Sequence, residues 1–267
     1  MLDFTIIGGK FALYPSVPFK TDFSIDYTYK PDIKALFTDG NIKDLKVTFL
    51  SPEERQLFRA TVVWRQNVLN GFPRTRVYSI RLSDAAGGSS TDPEEIFDIS
   101  SFCTSKKMVE AFAKVALRLR KYVDHGVVFT TTPQAALRLA PGDYFRLVSH
   151  TTHTNRFDNG SIGEDGTIQA STNVFDGMQV LYWRAGMDGP REAALRLDSE
   201  GKATGNVRGS VFTRLTSNST NRVYKCESLS YADDGLIEVA GTFMELNSNG
   251  NLAYLDWGSQ DFVISNA

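Results

Sequence analysis

A chain of 267 residues with 42% apolar and 22% charged residues is long enough to bury a real core and has the balance of a folded globular protein rather than a disordered one. Its formal net charge of −2 supplies no overall attraction to nucleic acid or an anionic membrane, and no apolar run reaches the roughly 18 residues of a membrane-spanning helix. Two cysteines, Cys103 and Cys226, stand far apart without metal-ligand neighbours, which excludes a disulfide framework and reads as two buried thiols.

Residues 1–31 hold short strand-like pieces broken by Gly8-Gly9, Pro15, Pro18 and Pro31, the pattern of an extended arm. Without a membrane-length apolar run the chain reads as soluble, and its first residues contain Asp3 and lack a basic start and a small-residue cleavage site, so a secretory signal is not expected. An arm of this kind cannot bury its own Phe4, Ile6, Phe11, Tyr14 and Phe19, which makes those residues candidate contacts with a neighbouring chain.

An α+β domain is expected over 32–133. Pro31 to Phe37 fits two helical turns, with Asp39-Gly40 as the stop. Strands come after it at Asp44–Leu50 and Phe58–Arg65, which are expected to pair across the turn Ser51–Arg55, then at Arg74–Arg81 and Ile96–Ile99, with a loop from Asp84 to Pro93. A helix of about 104–124 comes next. Met108, Phe112, Val115, Leu119 and Tyr122 share one stripe, widened by Val109 and Ala116, and are expected to cover a sheet carrying Phe58, Val62 and Trp64. Lys107, Lys114, Arg118 and Lys121 form a basic stripe and are further candidate partner contacts. Thr104 or Ser105 caps the helix, His125-Gly126 ends it, and Val127–Thr132 changes to the period of a strand.

From 134 to 267 the helical signal is gone. Strands are predicted at Tyr144–Val148, Met178–Trp183, Ala194–Leu197, Gly209–Arg214, Arg222–Cys226 and Leu236–Phe243, separated by Asp-Gly and Asn-Gly turns. These make an antiparallel β-barrel or sandwich, so the fold class is mainly β of α+β type. Pro141, Gly142 and Asp143 form a structural turn of type II, with Gly142 at the position that needs positive φ.

Chemical candidates are weak. His150 and His153, followed by Asp158, sit in a polar loop and read as solvated histidines rather than metal ligands. The acidic-glycine turns do not continue into a calcium-loop ligand series. A nucleophile elbow, a Walker loop and a dinucleotide fingerprint are all missing, so no catalytic, cofactor or metal residues are assigned and the chain reads as a non-enzyme. Any two of the 31 acids could still meet in space as a glycosidase pair. Trp64, Trp183 and Trp257 read as core or interface side chains.

Several segments taken in order resemble the hub proteins at the tail tip or baseplate of tailed phages, including the tail-tip attachment protein of lambdoid phages. They are Ile96–Ser105 with the helix after it, Val127–Pro133, Leu139–Asp143, Asn159-Gly160, Asp165–Ile168, Gly177–Trp183, Gly209–Thr213, Val223–Leu229 and Asp234–Ala240. The likeness covers roughly residues 25 to 246. It implies a virion structural role without enzyme activity: a trimeric ring closing the tail tube, which holds tape-measure and fibre or spike proteins and opens for DNA ejection. It implies neither sequence-specific nucleic-acid binding nor a membrane segment. Such hubs are often much longer, with domains ahead of the matching region, so this chain is expected to be the C-terminal portion of a divided hub or a smaller tail-end relative. The rival readings are a carbohydrate-binding or glycan-cleaving β-domain of a phage tail, or a generic virion adaptor. An open groove lined by Trp183 or Trp257 with two acids favours the first rival, whereas buried tryptophans favour the hub.

Overall fold

The computed structural model describes residues 2–7, 10–15, 17–22, 24–67, 74–149, 158–170, 173–220, 222–232 and 234–265, with the backbone alone for 2–15 and Asn218. In chain order the elements are β1 (Leu2–Ile7), β2 (Lys10–Pro15), β3 (Ile33–Thr38), β4 (Ile42–Phe49), β5 (Arg59–Gln66), β6 (Arg74–Leu82) and β7 (Glu94–Asp98), then the helix α1 (Lys106–Tyr122). They continue with β8 (His125–Thr131), the short α2 (Pro133–Ala136), β9 (Tyr144–Val148), β10 (Asn159–Ile162), β11 (Ile168–Ala170), β12 (Gln179–Trp183) and β13 (Arg191–Ala194). The last are β14 (Ser210–Arg214), the short α3 (Ser217–Thr220), β15 (Val223–Tyr231), β16 (Ile237–Met244) and β17 (Phe262–Ser265).

β1 and β2 make an antiparallel ribbon of their own. The other strands form sheets of six (β3-β9-β15-β16-β8-β4), five (β11-β10-β14-β12-β13) and four (β17-β6-β5-β7), and the fold is mainly β with sheets curled into a half-barrel. The six- and five-stranded sheets share one core: Phe37, Phe129, Phe145 and Tyr224 from the first meet Leu181, Trp183 and Val211 from the second. Val180, Tyr182 and Phe212 point the other way into a separate cluster. β12 is therefore covered on both faces, which is why Val-Leu-Tyr-Trp reads as an unbroken apolar run.

Three readings change at this level. Pro31 to Phe37 is not helical: Ile33–Thr38 is β3, parallel to β9, with Ala35, Leu36 and Phe37 all buried. A short apolar run buried on both sides carries no period that separates helix from strand. β4 does not pair with β5, because β8 comes straight off α1 to take the β4 edge, with His125 opposite Phe49, while 51–58 carry the chain to the next sheet. The helix closes at Val123 in extended conformation, and Gly126 lies inside β8. The expected boundary at residue 133 falls between β8 and β9 of one sheet, and β17 from the far side pairs with β6.

α1 is buried along a wider arc than one stripe. Val109, Ala113 and Leu117 pack with Phe58, Val62 and Trp64 of the four-stranded sheet, and Val115 and Leu119 pack with Tyr144, Val223 and Tyr254. Two neighbours on one helix widen its apolar face, so the stripe centred on Met108 and Phe112 is displaced. Met108 is 44% exposed, Phe112 is half-buried against Phe97, and Val109 takes the central place. Ser105 precedes the helix without a side-chain capping bond.

Candidate assembly surfaces

The register of the first ribbon sets Leu2 opposite Pro15, Phe4 opposite Leu13 and Ile6 opposite Phe11. Directly opposed positions lie on the same face of an antiparallel pair, so Phe4, Ile6 and Phe11 occupy one face, and Tyr14, opposite Asp3, the other. The segment after the ribbon behaves differently. Phe19 bridges to Ile25, and Val17 and Ile25 are buried with Val115, Tyr144 and Tyr254. Residues 17–22 and 24–30 therefore pack on their own chain and are not a free arm. Between this segment and the start of α1 lies a groove of about 570 Å³ lined by Val17, Phe19, Ile25, Phe102, Met108 and Phe112, with Phe102 79% exposed at its rim.

The basic residues of α1 do not make one patch. Lys107 is exposed, Lys114 lies 5.5 Å from the Phe262 ring centre, and Lys121 donates to the Ala86 carbonyl at 2.8 Å. Arg118 is 4% exposed. It donates to the carbonyls of Ala253 and Asp256, stands 3.6 Å from Asp261 and crosses the face of Tyr122. A cation on the border of an amphipathic helix reads as solvated in sequence; only the arrival of residues 253–261 over the helix buries it.

The turn at 140–143 has the expected form. Asp143 N–H donates to the Ala140 carbonyl at 3.0 Å, the Asp143 carboxylate accepts from Ala140 N–H at 2.9 Å, and Gly142 has φ of +96°. Gly142 N–H also donates to the Cys226 carbonyl at 2.8 Å, and Cys226 N–H to the Asp143 carbonyl at 2.8 Å, which ties the turn to β15. Gly142→Ala is expected to cost about 1 kcal/mol or more in urea unfolding, because a β-carbon is disfavoured at that φ. Cys226 is buried, which pushes its thiol up to about 12, and Cys103 is half-buried and also free.

One cluster escaped the sequence reading. His125 is buried at the start of β8, with Nδ1 donating to Asp124 at 2.5 Å, Nε2 3.0 Å from the Tyr224 hydroxyl, and its ring stacked 4.7 Å from Phe243. Both ring nitrogens are engaged and burial raises the Tyr224 hydroxyl above its ordinary value, so the set locks the helix–strand junction rather than offering a nucleophile. The His125 hydrogen bond holds Asp124 below its ordinary 3.8. That contribution to stability is present above 3.8 and is lost as pH falls through the lower folded-state value. Asp124→Asn is thus expected to destabilise at pH 7, with the difference from the parent closing in strongly acidic solution. A gap that stays constant with pH removes this role for the carboxylate.

His150 and His153 lie outside the described residues. Asp158 pairs with Arg214 at 3.1 Å, and the described residues contain no cluster of metal-ligating side chains. Asp165 accepts from the Thr167 N–H and hydroxyl, so its turn is self-satisfied. Trp64 and Trp183 are buried, and Trp257 is half-buried, edge-on to Tyr27.

No protein-family model and no curated protein matches the sequence. Among solved structures, the chain is similar to a chain in the virion of the native gene transfer agent particle, at 11% identity and a TM-score of 0.42 over 81% of this chain and 33% of that one. It is also similar to the 43 kDa tail protein of prophage MuSo2 from Shewanella oneidensis, at 9% identity and a TM-score of 0.31 over 82% and 51%. A third is the tail protein from Neisseria meningitidis MC58, at 10% identity and a TM-score of 0.30 over 73% and 47%. The chain spans a third to about half the length of these proteins.

Proposed function

We propose that this chain is a non-enzymatic structural component of a phage tail, a hub piece at the tail tip or baseplate that works as a trimeric ring. In that role it closes the tail tube, anchors tape-measure and fibre or spike proteins, and leaves a passage for DNA. The observation that carries the reading is the first ribbon, a two-stranded sheet separate from the other three. A lone hairpin is marginal in water, and its register gathers Leu2, Phe4, Ile6, Phe11, Leu13 and Pro15 on one face, a surface suited to a neighbouring copy. Exposed Phe49, Ile96, Phe102, Leu137 and Tyr231 on separate elements support several contacts rather than one. The ordered resemblance to tail hubs supplies the setting, and cyclic symmetry repeats each heterologous contact until the ring closes.

The test is a symmetric particle reconstruction combined with immunogold labelling. Density for three copies at the tail end, with residues 2–15 in a chain–chain contact of more than roughly 1,000 Å², is the expected result. Labelling at the head or along the tail shaft refutes the position, and a ribbon packed wholly on its own chain refutes the ring contact.

A further inference from the structure

A polar cleft of about 580 Å³ opens between the five-stranded sheet and α2, well inside the range of ligand pockets, roughly 300–1,000 Å³. Some of its polar groups are spent on the fold: Asn41 accepts from Thr38 N–H and donates to the Leu36 carbonyl, and Thr132 and Asp165 hold their own turns. Others are not. Gln134 on α2, Ser161 on β10, Gln169 on β11, Glu164 in the turn between them and Arg184 after β12 face this one cavity, and none of these side chains has a hydrogen bond or ion pair among the described residues. Trp183, which lines the same cleft and is 2% exposed, has an indole N–H with no acceptor.

We propose that this cleft binds a neutral saccharide. Two carboxamides and a hydroxyl each donate and accept, as sugar hydroxyls do, while Arg184 supplies donors alone and Glu164 acceptors alone. With Glu164 and Asp165 against one guanidinium, the lining repels anions such as phosphate. A peptide strand is matched less well, because its main chain needs a run of open sheet edge and the groups here are side chains from separate elements. Trp183 is too buried to be a stacking platform, so recognition runs through hydrogen bonds at the rim. Asp165 is committed to Thr167, so the cleft holds no free carboxylate pair and the site binds without cleaving.

The experiment is saturation-transfer NMR on the full chain with maltose, cellobiose, lactose and diacetylchitobiose, and an uncharged Gly-Ser peptide as comparator. Transfer to at least one sugar is expected, weakened roughly tenfold by Gln134→Ala with Gln169→Ala, about the worth of one or two hydrogen bonds. Arg184→Ala, on an exposed side chain, serves if the double variant fails to fold. Transfer to none of the four sugars, transfer to the peptide alone, or a sugar signal unchanged in the folded variant overturns the proposal. The result is independent of where the chain sits in a particle, so labelling away from the tail tip leaves it standing.

Discussion

Phe145→Ala is expected to lower stability by about 3–5 kcal/mol, measured by urea unfolding with an unchanged dependence on denaturant. Phe145 sits on β9, fully buried, where the six- and five-stranded sheets share their core. Its ring meets Phe37 edge-on at 5.4 Å and Phe129 edge-on at 5.8 Å, and stacks on Tyr224 at 5.7 Å. The space it uses is left by Gly241 on β16, where a β-carbon would come within 2.7 Å of the Phe145 ring. Gly241→Ala alone is therefore expected to cost about 1–3 kcal/mol through overpacking. The double variant should cost less than the sum, because the cavity left by the ring takes the added methyl. Strict additivity would show that ring and glycine are not complementary.

Arg118→Ala is expected to cost about 2–4 kcal/mol, since it strips a charged donor from two carbonyls and removes a guanidinium lying over the Tyr122 ring. The loss should be local at first. Residues 253–261 are held to α1 by this side chain, so their amide exchange should accelerate more than that of the four-stranded sheet. Arg118→Lys restores one cation but not the second arm, Nη1, that faces Asp261 while Nη2 serves both carbonyls, nor the planar group over Tyr122, and is expected to recover only part of the loss. Equal exchange in both regions would mean that Arg118 does not anchor the segment.

Elements with a strong local signal were legible in the sequence. α1, β5, β6, β9 and β16 stand within two residues of their expected ends, and Gly142, Gly166, Gly177, Gly235 and Gly250 all have the positive φ that their turns demand. What failed was whatever depends on a distant partner. β10 begins Asn-Gly-Ser, a turn-like string, and is a strand because β14 and β11 pair with it; a β-carbon at Gly160 would come within 2.0 Å of the Gln169 carbonyl. Arg118 and His125 changed role for the same reason, because the groups that bury them come from residues 253–261 and 224–243. The polar cleft was invisible since its side chains come from five places in the chain. Of the arm residues, Phe19 proved to be part of the chain's own packing, whereas Phe4, Ile6, Phe11 and Tyr14 are placed by register alone.

The pairing of β17 with β6 has a consequence for how the molecule is made. The four-stranded sheet gains its edge strand from residues that lie about 180 positions beyond β6, so its closure carries the loop entropy of everything between. Emerging from a ribosome, β5, β6, β7 and α1 would wait with that edge open while the five-stranded sheet and the remaining four strands of the six-stranded sheet are synthesised, a period in which an unpaired strand invites aggregation. Folding should be correspondingly slow, since a high share of non-local contacts delays the transition state. A fragment ending after β8 would lack β17, the β9 partner of β3 and the β16 partner of β8, so that N-terminal piece is not expected to survive as an independent module.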